Sequence, residues 1–230
     1  NTPDEDGATA LHLAVEYEHD HIVEYLLGNS IDGENGTATL SVDVNACDHS
    51  LMSPLHYAVL RGNDKLVEKL LENGANCEAR DIEDRTALYL CVSSMCSGNF
   101  DLSINENISP SLSDNTKGVD EIRLGKIMNC GKLLLEAGAD PDLCDQSGDS
   151  MLMSASLSNS SRAVQFLLSN GASPMLQRDT DHSTALHLAC NRRARELCLP
   201  IVELLVRSGG KGLLDLRNDE GESSLLTVLK

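Results

Sequence analysis

The sequence predicts an all-α solenoid of about six stacked helical pairs joined by finger loops, and three recurrences predict it. A Thr or Ser stands at Thr9, Ser53, Thr86, Ser150, Thr184 and Ser223, at intervals of 44, 33, 64, 34 and 39 residues. An aliphatic signature returns in step, as Ile22-Val23 with Leu26-Leu27, Leu66-Val67 with Leu70-Leu71, Ala163-Val164 with Leu167-Leu168, and Ile201-Val202 with Leu205-Val206. A small residue then closes each unit, at Ser30, Gly74, Gly138, Gly171 and Gly209. A period near 33 with local expansions marks an array whose units bury their apolar faces only by stacking on one another.

The elements follow in order along one domain, with units over about 4–45, 46–78, 79–142, 143–176 and 177–216, and a truncated sixth over 217–230. Each reads as a finger, a first helix, a tight turn and a second helix. The recurring Thr or Ser caps the first helix by accepting from its free N–H groups, and Pro54 stands at a first helical position, where a missing N–H costs nothing. Leu11, Leu55, Leu88, Leu152, Leu186 and Leu225 then form an apolar ladder from unit to unit. The Gly residues after the second helices suit left-handed exits, and Ser30 is expected to leave irregularly. Unit three is the weak copy, with Cys130-Gly131 before Leu134-Leu135.

Three insertions break the period. The first, about 32–42, lengthens the connection into the second finger. The second, about 97–121, parts the two helices of unit three: 38 residues lie between Cys91 and Cys130 where 7 lie between Ala58 and Leu66. Its Ser-rich, acidic middle from Gly98 to Glu121 is expected to be poorly ordered, with Ser109 before Pro110 as a candidate phosphorylation site. The third, 192–196, carries Arg192, Arg193 and Arg195 at the same turn of unit five.

The stretch Asp4 to Leu27, with Thr9-Ala10-Leu11-His12 followed by Ile22-Val23 and Leu26-Leu27, resembles the ankyrin repeat. So do Ser53-Pro54-Leu55-His56-Tyr57-Ala58 and Thr184-Ala185-Leu186-His187-Leu188-Ala189. Two motifs recurring in phase over nearly the whole chain make the resemblance specific. It implies that His12, His56 and His187 are structural, tying neighbouring fingers by hydrogen bonds. It also implies a non-enzymatic module whose partner lies across the concave face of finger tips and first helices. The partner-binding positions it assigns are Glu5, Asp6, Glu16 and Tyr17; His49, Met52, Leu60 and Arg61; Ile82, Glu83 and Arg85; Asp149 and Leu157; and Asp181 and Asn191. Acidic ends and apolar Met52, Leu60, Ile82 and Leu157 suit an extended peptide with an apolar centre and basic ends.

Composition narrows the function classes. A formal charge of −18 disfavours nucleic acid, because phosphate binding needs clustered Lys and Arg. No apolar run approaches the roughly 18 residues of a membrane helix. The chain lacks an initiator Met and stops inside a first helix, so it is expected to be a segment of a longer protein. Cys91, Cys130 and Cys190 occupy small apolar helix positions, which suits reduced thiols and a cytoplasmic or nuclear setting.

Chemistry-bearing patterns are weak. His19-Asp20-His21 lacks a nearby third ligand, and the eight Cys include no C-x-x-C. Gly209-Gly210-Lys211-Gly212 lacks phosphate-loop spacing and reads as a Gly-rich helix exit, and no G-x-S-x-G elbow is present. No enzyme, metal or cofactor is expected. Three other roles stay open: the substrate arm of a ubiquitin ligase, an acidic reader of a basic histone-like tail, and a regulatory domain of a larger enzyme or channel.

Overall fold

The computed structural model describes residues 2–28, 42–97, 116–190, 199–224 and 226. Among these are ten helices: α1 (Ala10–Glu16), α2 (Asp20–Gly28), α3 (Pro54–Arg61), α4 (Asp64–Glu72), α5 (Ala87–Ser97), α6 (Thr116–Glu136), α7 (Met151–Leu157), α8 (Ser161–Ser169), α9 (Ala185–Cys190) and α10 (Leu199–Asp215). Strand-like pairing among the described residues is limited to isolated antiparallel bridges at finger bases: Arg80 with Thr86, Cys144 with Ser150, Gln177 with Thr184, and Arg217 with Ser223. The architecture is the all-α helical repeat that the sequence predicts. It divides into two compact units, Asn1–Cys91 with Pro110–Ala139, and Val92–Ser109 with Asp140–Lys230.

In the first unit α1 packs on α2 and α3, α3 on α4, and α4 on α6. Leu11, Val15, Val23, Leu55, Val59, Val67, Leu70, Leu88, Ile127, Cys130 and Leu134 are at most 1% exposed there. Burying one such aliphatic side chain contributes about 1.5–3 kcal/mol, and helices of the same and of the next pair both supply facing surface. In the second unit α7 packs on α8 and α9, and α10 packs on both α8 and α9. Its interior holds Met151, Leu152, Met153, Val164, Leu167, Leu186, Ile201, Leu205 and Leu213. The five described members of the leucine ladder are thus all buried; Leu225 lies outside the described residues.

Local chemistry sets the helix ends. Asn63 accepts from the Leu66 amide at 3.2 Å, Ser150 from Met153 at 3.3 Å and Ser160 from Ala163 at 3.3 Å, each satisfying a free donor of α4, α7 or α8. The reversal from first to second helix is made by Glu18, Gly62 and Asn159, with φ of 54°, 66° and 54°. Gly62 also faces α6, where an added Cβ would lie 3.2 Å from Ile127 Cγ1. Gly74, Gly138 and Gly171 make the expected left-handed exits.

Two expectations need correction. Residues 116–121, placed inside a poorly ordered insertion, belong to α6, and Ser97 belongs to α5. A helix anchored by buried Ile127, Cys130 and Leu134 extends backward at one hydrogen bond per residue, which offsets the polar composition there. The second is a shift of one residue: the positive φ of the helix exit falls at Gly210 (φ 61°, ψ −156°) rather than at Gly209, and a further helical stretch follows to Asp215. Such backbone is open to Gly alone, and Gly209 leaves room for Leu213, whose side chain lies 2.6 Å from where a Cβ would be. Ser30, Ser109, Arg192, Arg193 and Arg195 lie outside the described residues, as do 32–41 of the first insertion, 98–115 of the second and all of the third.

Candidate functional site

Each finger is a tight turn held by the side chain at its start. Asp4 Oδ1 accepts from the amides of Asp6 and Ala8 at 3.0 and 2.8 Å. Asp48 Oδ1 takes Ser50 and Met52 at 2.8 and 2.9 Å, Asp81 takes Glu83 and Arg85 at 2.9 Å each, and Asp145 takes Ser147 and Asp149 at 2.8 and 3.1 Å. Asn218 does the same for Glu222 at 2.9 Å. A short acid that bonds its own backbone two and four residues on preorganises the turn before any partner arrives.

Finger five departs from this pattern. Arg178 stands where the others have Asp or Asn, and its amide closes on Ser183 rather than on the fourth residue along, so this turn is one residue longer. Asp181 takes over the acceptor role, receiving the Ser183 amide at 2.9 Å and the Arg178 guanidinium at 3.1 and 3.2 Å. Arg178 also reaches back to Asp149 Oδ1 at 3.3 Å. That contact is an ion pair without hydrogen-bond geometry, and burial pushes the Asp149 carboxyl above its ordinary range despite it.

Within each unit the fingers are joined to one another. His49 N–H donates to Asp6 O and Ile82 N–H to Ser50 O, both at 3.0 Å, in the first unit. Asp219 N–H donates to Asp181 O at 2.9 Å in the second. Beneath them the histidines act as the resemblance implies. Thr9 N–H donates to His12 Nδ1 at 3.1 Å, so the ring carries its proton on Nε2, which reaches Met52 O at 3.0 Å. His187 likewise accepts from Thr184 N–H and donates to Glu222 O at 3.1 Å. His56 is the exception: Ser53 N–H reaches its Nδ1 at 3.0 Å, but Nε2 makes no contact of hydrogen-bond geometry among the described residues, the nearby Arg85 carbonyl included. Burial holds the His56 pKa below the usual value, and the Arg85 carbonyl only partly offsets this.

The expected partner-binding residues divide by what they already do. Glu5, Asp6, Tyr17, His49, Ile82, Glu83 and Leu157 are exposed; Glu16, Met52, Leu60, Arg61, Arg85, Asp149 and Asp181 are half-buried; Asn191 lies outside the described residues. Glu16 and Arg61 meet at 3.4 Å across consecutive first helices. Arg85 binds Asp81 at 2.8 Å and Glu83 at 2.7 Å. Burial would raise the Asp81 pKa, but the Arg85 side chain and the turn amides outweigh it and hold it below the carboxylate range. Asp149 and Asp181 are engaged by Arg178. The most available first-unit members are therefore the finger tips and Tyr17.

Sequence reasoning passed over Leu51, which is half exposed at the tip of finger two. The position is left-handed in every finger: Gly7, Leu51, Asp84, Gly148, His182 and Gly221 have φ of 83°, 57°, 64°, 77°, 54° and 73°. A Leu aligned with Gly7, Gly148 and Gly221 was the available signal.

Reactive chemistry is sparse among the described residues. No group of three or more His, Cys, Asp or Glu could hold a metal ion, and exposed His19 and His21 sit just before α2 and in its first turn. Burial raises the thiol pKa of Cys91 and moves that of Cys130 up to about 12, so these stay protonated. No described helix is long and apolar enough to cross a membrane.

Comparison with known proteins agrees with this geometry. The family model for ankyrin repeats in three copies matches residues 34–103 and 122–225, and the single ankyrin repeat model matches residues 6–35. The B-cell lymphoma 3 protein homolog of Mus musculus is 33% identical over 233 residues, covering 94% of this chain and 47% of that protein. The B-cell lymphoma 3 protein of Homo sapiens is 31% identical, covering 98% and 48%. The nuclear factor NF-kappa-B p105 subunit of Gallus gallus is 27% identical over 82% of this chain and 19% of its own length. The chain thus spans about half the length of the B-cell lymphoma 3 relatives and less of the third. With its fingers, histidine ties and stacked helical pairs matched along most of its length, this chain belongs to the ankyrin repeat family.

Proposed function

We propose that this chain is a non-enzymatic protein-binding module that holds a segment of a partner on its finger tips and first helices. Ankyrin repeats generally mediate protein–protein interaction, and ankyrin repeat domains are generally non-catalytic. One observation carries the finer reading. Three fingers of the first unit are tied by backbone hydrogen bonds into a row that displays Glu5, Asp6, His49, Ile82 and Glu83 to solvent. Rigid, exposed and chemically mixed surface is what a partner segment can use without an ordering cost on the receptor side.

A relative named as a subunit of a nuclear factor favours assembly with other chains, and we extend that to this chain with a nuclear or cytoplasmic setting. The peptide we infer is extended, with apolar anchors and basic residues that pair with the acidic rim.

The test is site-directed photocrosslinking of the full chain in cell extract. A photoreactive residue at Ile82 or Tyr17 is expected to trap partners, while one at exposed Lys132 on α6 is expected to trap few. Equal or greater capture from Lys132 would overturn the assignment of the face.

A further inference from the structure

We propose that Leu51 and Ile82 form the apolar anchor of the first unit's fingers. They would receive one aliphatic side chain of a partner whose basic residues, one finger away, pair with Glu5 and Asp6. This rests on the protein-binding reading and adds to it a register and a motif.

Position 51 is left-handed, φ 57°, as its counterparts are, and three of those are Gly. A γ-branched apolar side chain is unfavourable in that conformation and gains little from burial, since half of it faces solvent. Leu51 therefore neither relieves the turn nor fills the core. Strained, exposed side chains held by an otherwise satisfied turn are the kind that serve recognition. The turn here is satisfied: Asp48 takes two amides, and its other oxygen takes the Tyr57 hydroxyl at 2.6 Å.

The neighbouring finger supplies the second half. Ser50 O accepts from Ile82 N–H at 3.0 Å, so the two tips run side by side, and Ile82 is 61% exposed. Two large aliphatic side chains on adjacent, hydrogen-bonded tips make a small anchoring site of the kind that dominates binding energy. On the other side, His49 N–H is bonded to Asp6 O, which sets exposed Glu5 and Asp6 one finger from the pair.

Charge then selects the occupant. A second copy of a chain with formal charge −18 would bring more acid to Glu5 and Asp6, whereas a basic segment is attracted and oriented. Finger layers lie about 10 Å apart, which extended chain covers in about three residues. The motif is accordingly a basic pair followed, or preceded, by an aliphatic residue three positions away.

Fluorescence anisotropy with the full chain and labelled synthetic peptides tests it. The probes are Arg-Lys-Ser-Ser-Leu and its reverse, set in neutral flanks, with controls in which Leu becomes Ser or the basic pair becomes Glu-Glu. Wild type is expected to bind one of the first two at least about tenfold better than its controls. Leu51→Asn, which tolerates left-handed backbone, and Ile82→Ser are each expected to weaken that binding about tenfold or more, with Leu51→Asn leaving the melting temperature unchanged or raised. Undiminished binding by Leu51→Asn overturns the anchor, as does absence of peptide binding to wild type up to about 1 mM. Loss of self-association in Leu51→Asn would assign the pair to a second copy and overturn the basic partner. In each of these cases the photocrosslinking result decides separately whether the protein-binding reading stands.

Discussion

His12 reaches Met52 across the boundary between the first two repeats, its Nε2–H pointing at the Met52 carbonyl 3.0 Å away while its Nδ1 receives Thr9 N–H. One buried ring therefore caps its own helix and fastens the next finger. His187 repeats the arrangement with Glu222 O. His56 completes only the capping half.

Truncating these rings separates the two jobs. His12→Ala orphans a buried amide and a partly buried carbonyl, and is expected to cost about 2–4 kcal/mol. His56→Ala leaves no finger bond to lose and is expected to cost about 1 kcal/mol less. Urea midpoints of the two variants check the order; equal losses would mean that the finger bond contributes nothing.

The lowered pKa of His56 gives a pH dependence of known sign. Its unfolded pKa is about 6.5 and its folded pKa lies below that. Above about pH 6.5 the ring is neutral in both states and contributes no slope; as pH falls below it, the unfolded chain takes the proton first and stability drops. Urea midpoints between pH 7.5 and 5 are expected to fall, and His56→Gln is expected to flatten that part of the curve.

Asp81 titrates with the same direction at lower pH. Its folded pKa is held below the ordinary value of about 3.9, so its contribution is present above that pH and lost as pH falls through the folded value. Asp81→Asn keeps an acceptor for the turn amides but loses the 2.8 Å pair with Arg85, at an expected cost of about 1–2 kcal/mol near neutral pH. The deficit is expected to shrink on acidification, when wild type loses the same charge.

Gly62 joins two constraints that a double mutant can part. Gly62→Ala must hold φ at 66° and places a Cβ 3.2 Å from Ile127 Cγ1, with an expected cost of about 1–3 kcal/mol. Measured in an Ile127→Ala background, where Cγ1 is gone, Gly62→Ala is expected to cost less by the steric part only. Full recovery in thermal melts would show that the backbone carries no strain.

Much of this was readable from residue order, for a physical reason. A repeat writes the same local instructions several times, so Leu11, Leu55, Leu88, Leu152 and Leu186 identify one another as core before any coordinates are known. The cap residues and the finger acids are equally local, bonding within a few positions of themselves. Legibility failed where a neighbour in space intervenes. The helical state of residues 116–121 depends on the anchoring of α6 against α4, which no local pattern states.

The candidate face shows the same division. By itself the sequence determined the repeat, the leucine ladder and the acidic charge, because each follows from recurrence or composition, while the tying role of the histidines came with the family resemblance. Only tertiary structure decided that Glu16 is paired with Arg61 and Asp149 with Arg178, that His56 lacks its finger bond, and that exposed Ile82 is bonded beside Leu51. Those facts depend on distances between residues far apart in the chain, which a periodic pattern places in the same slot without stating which partner each will meet.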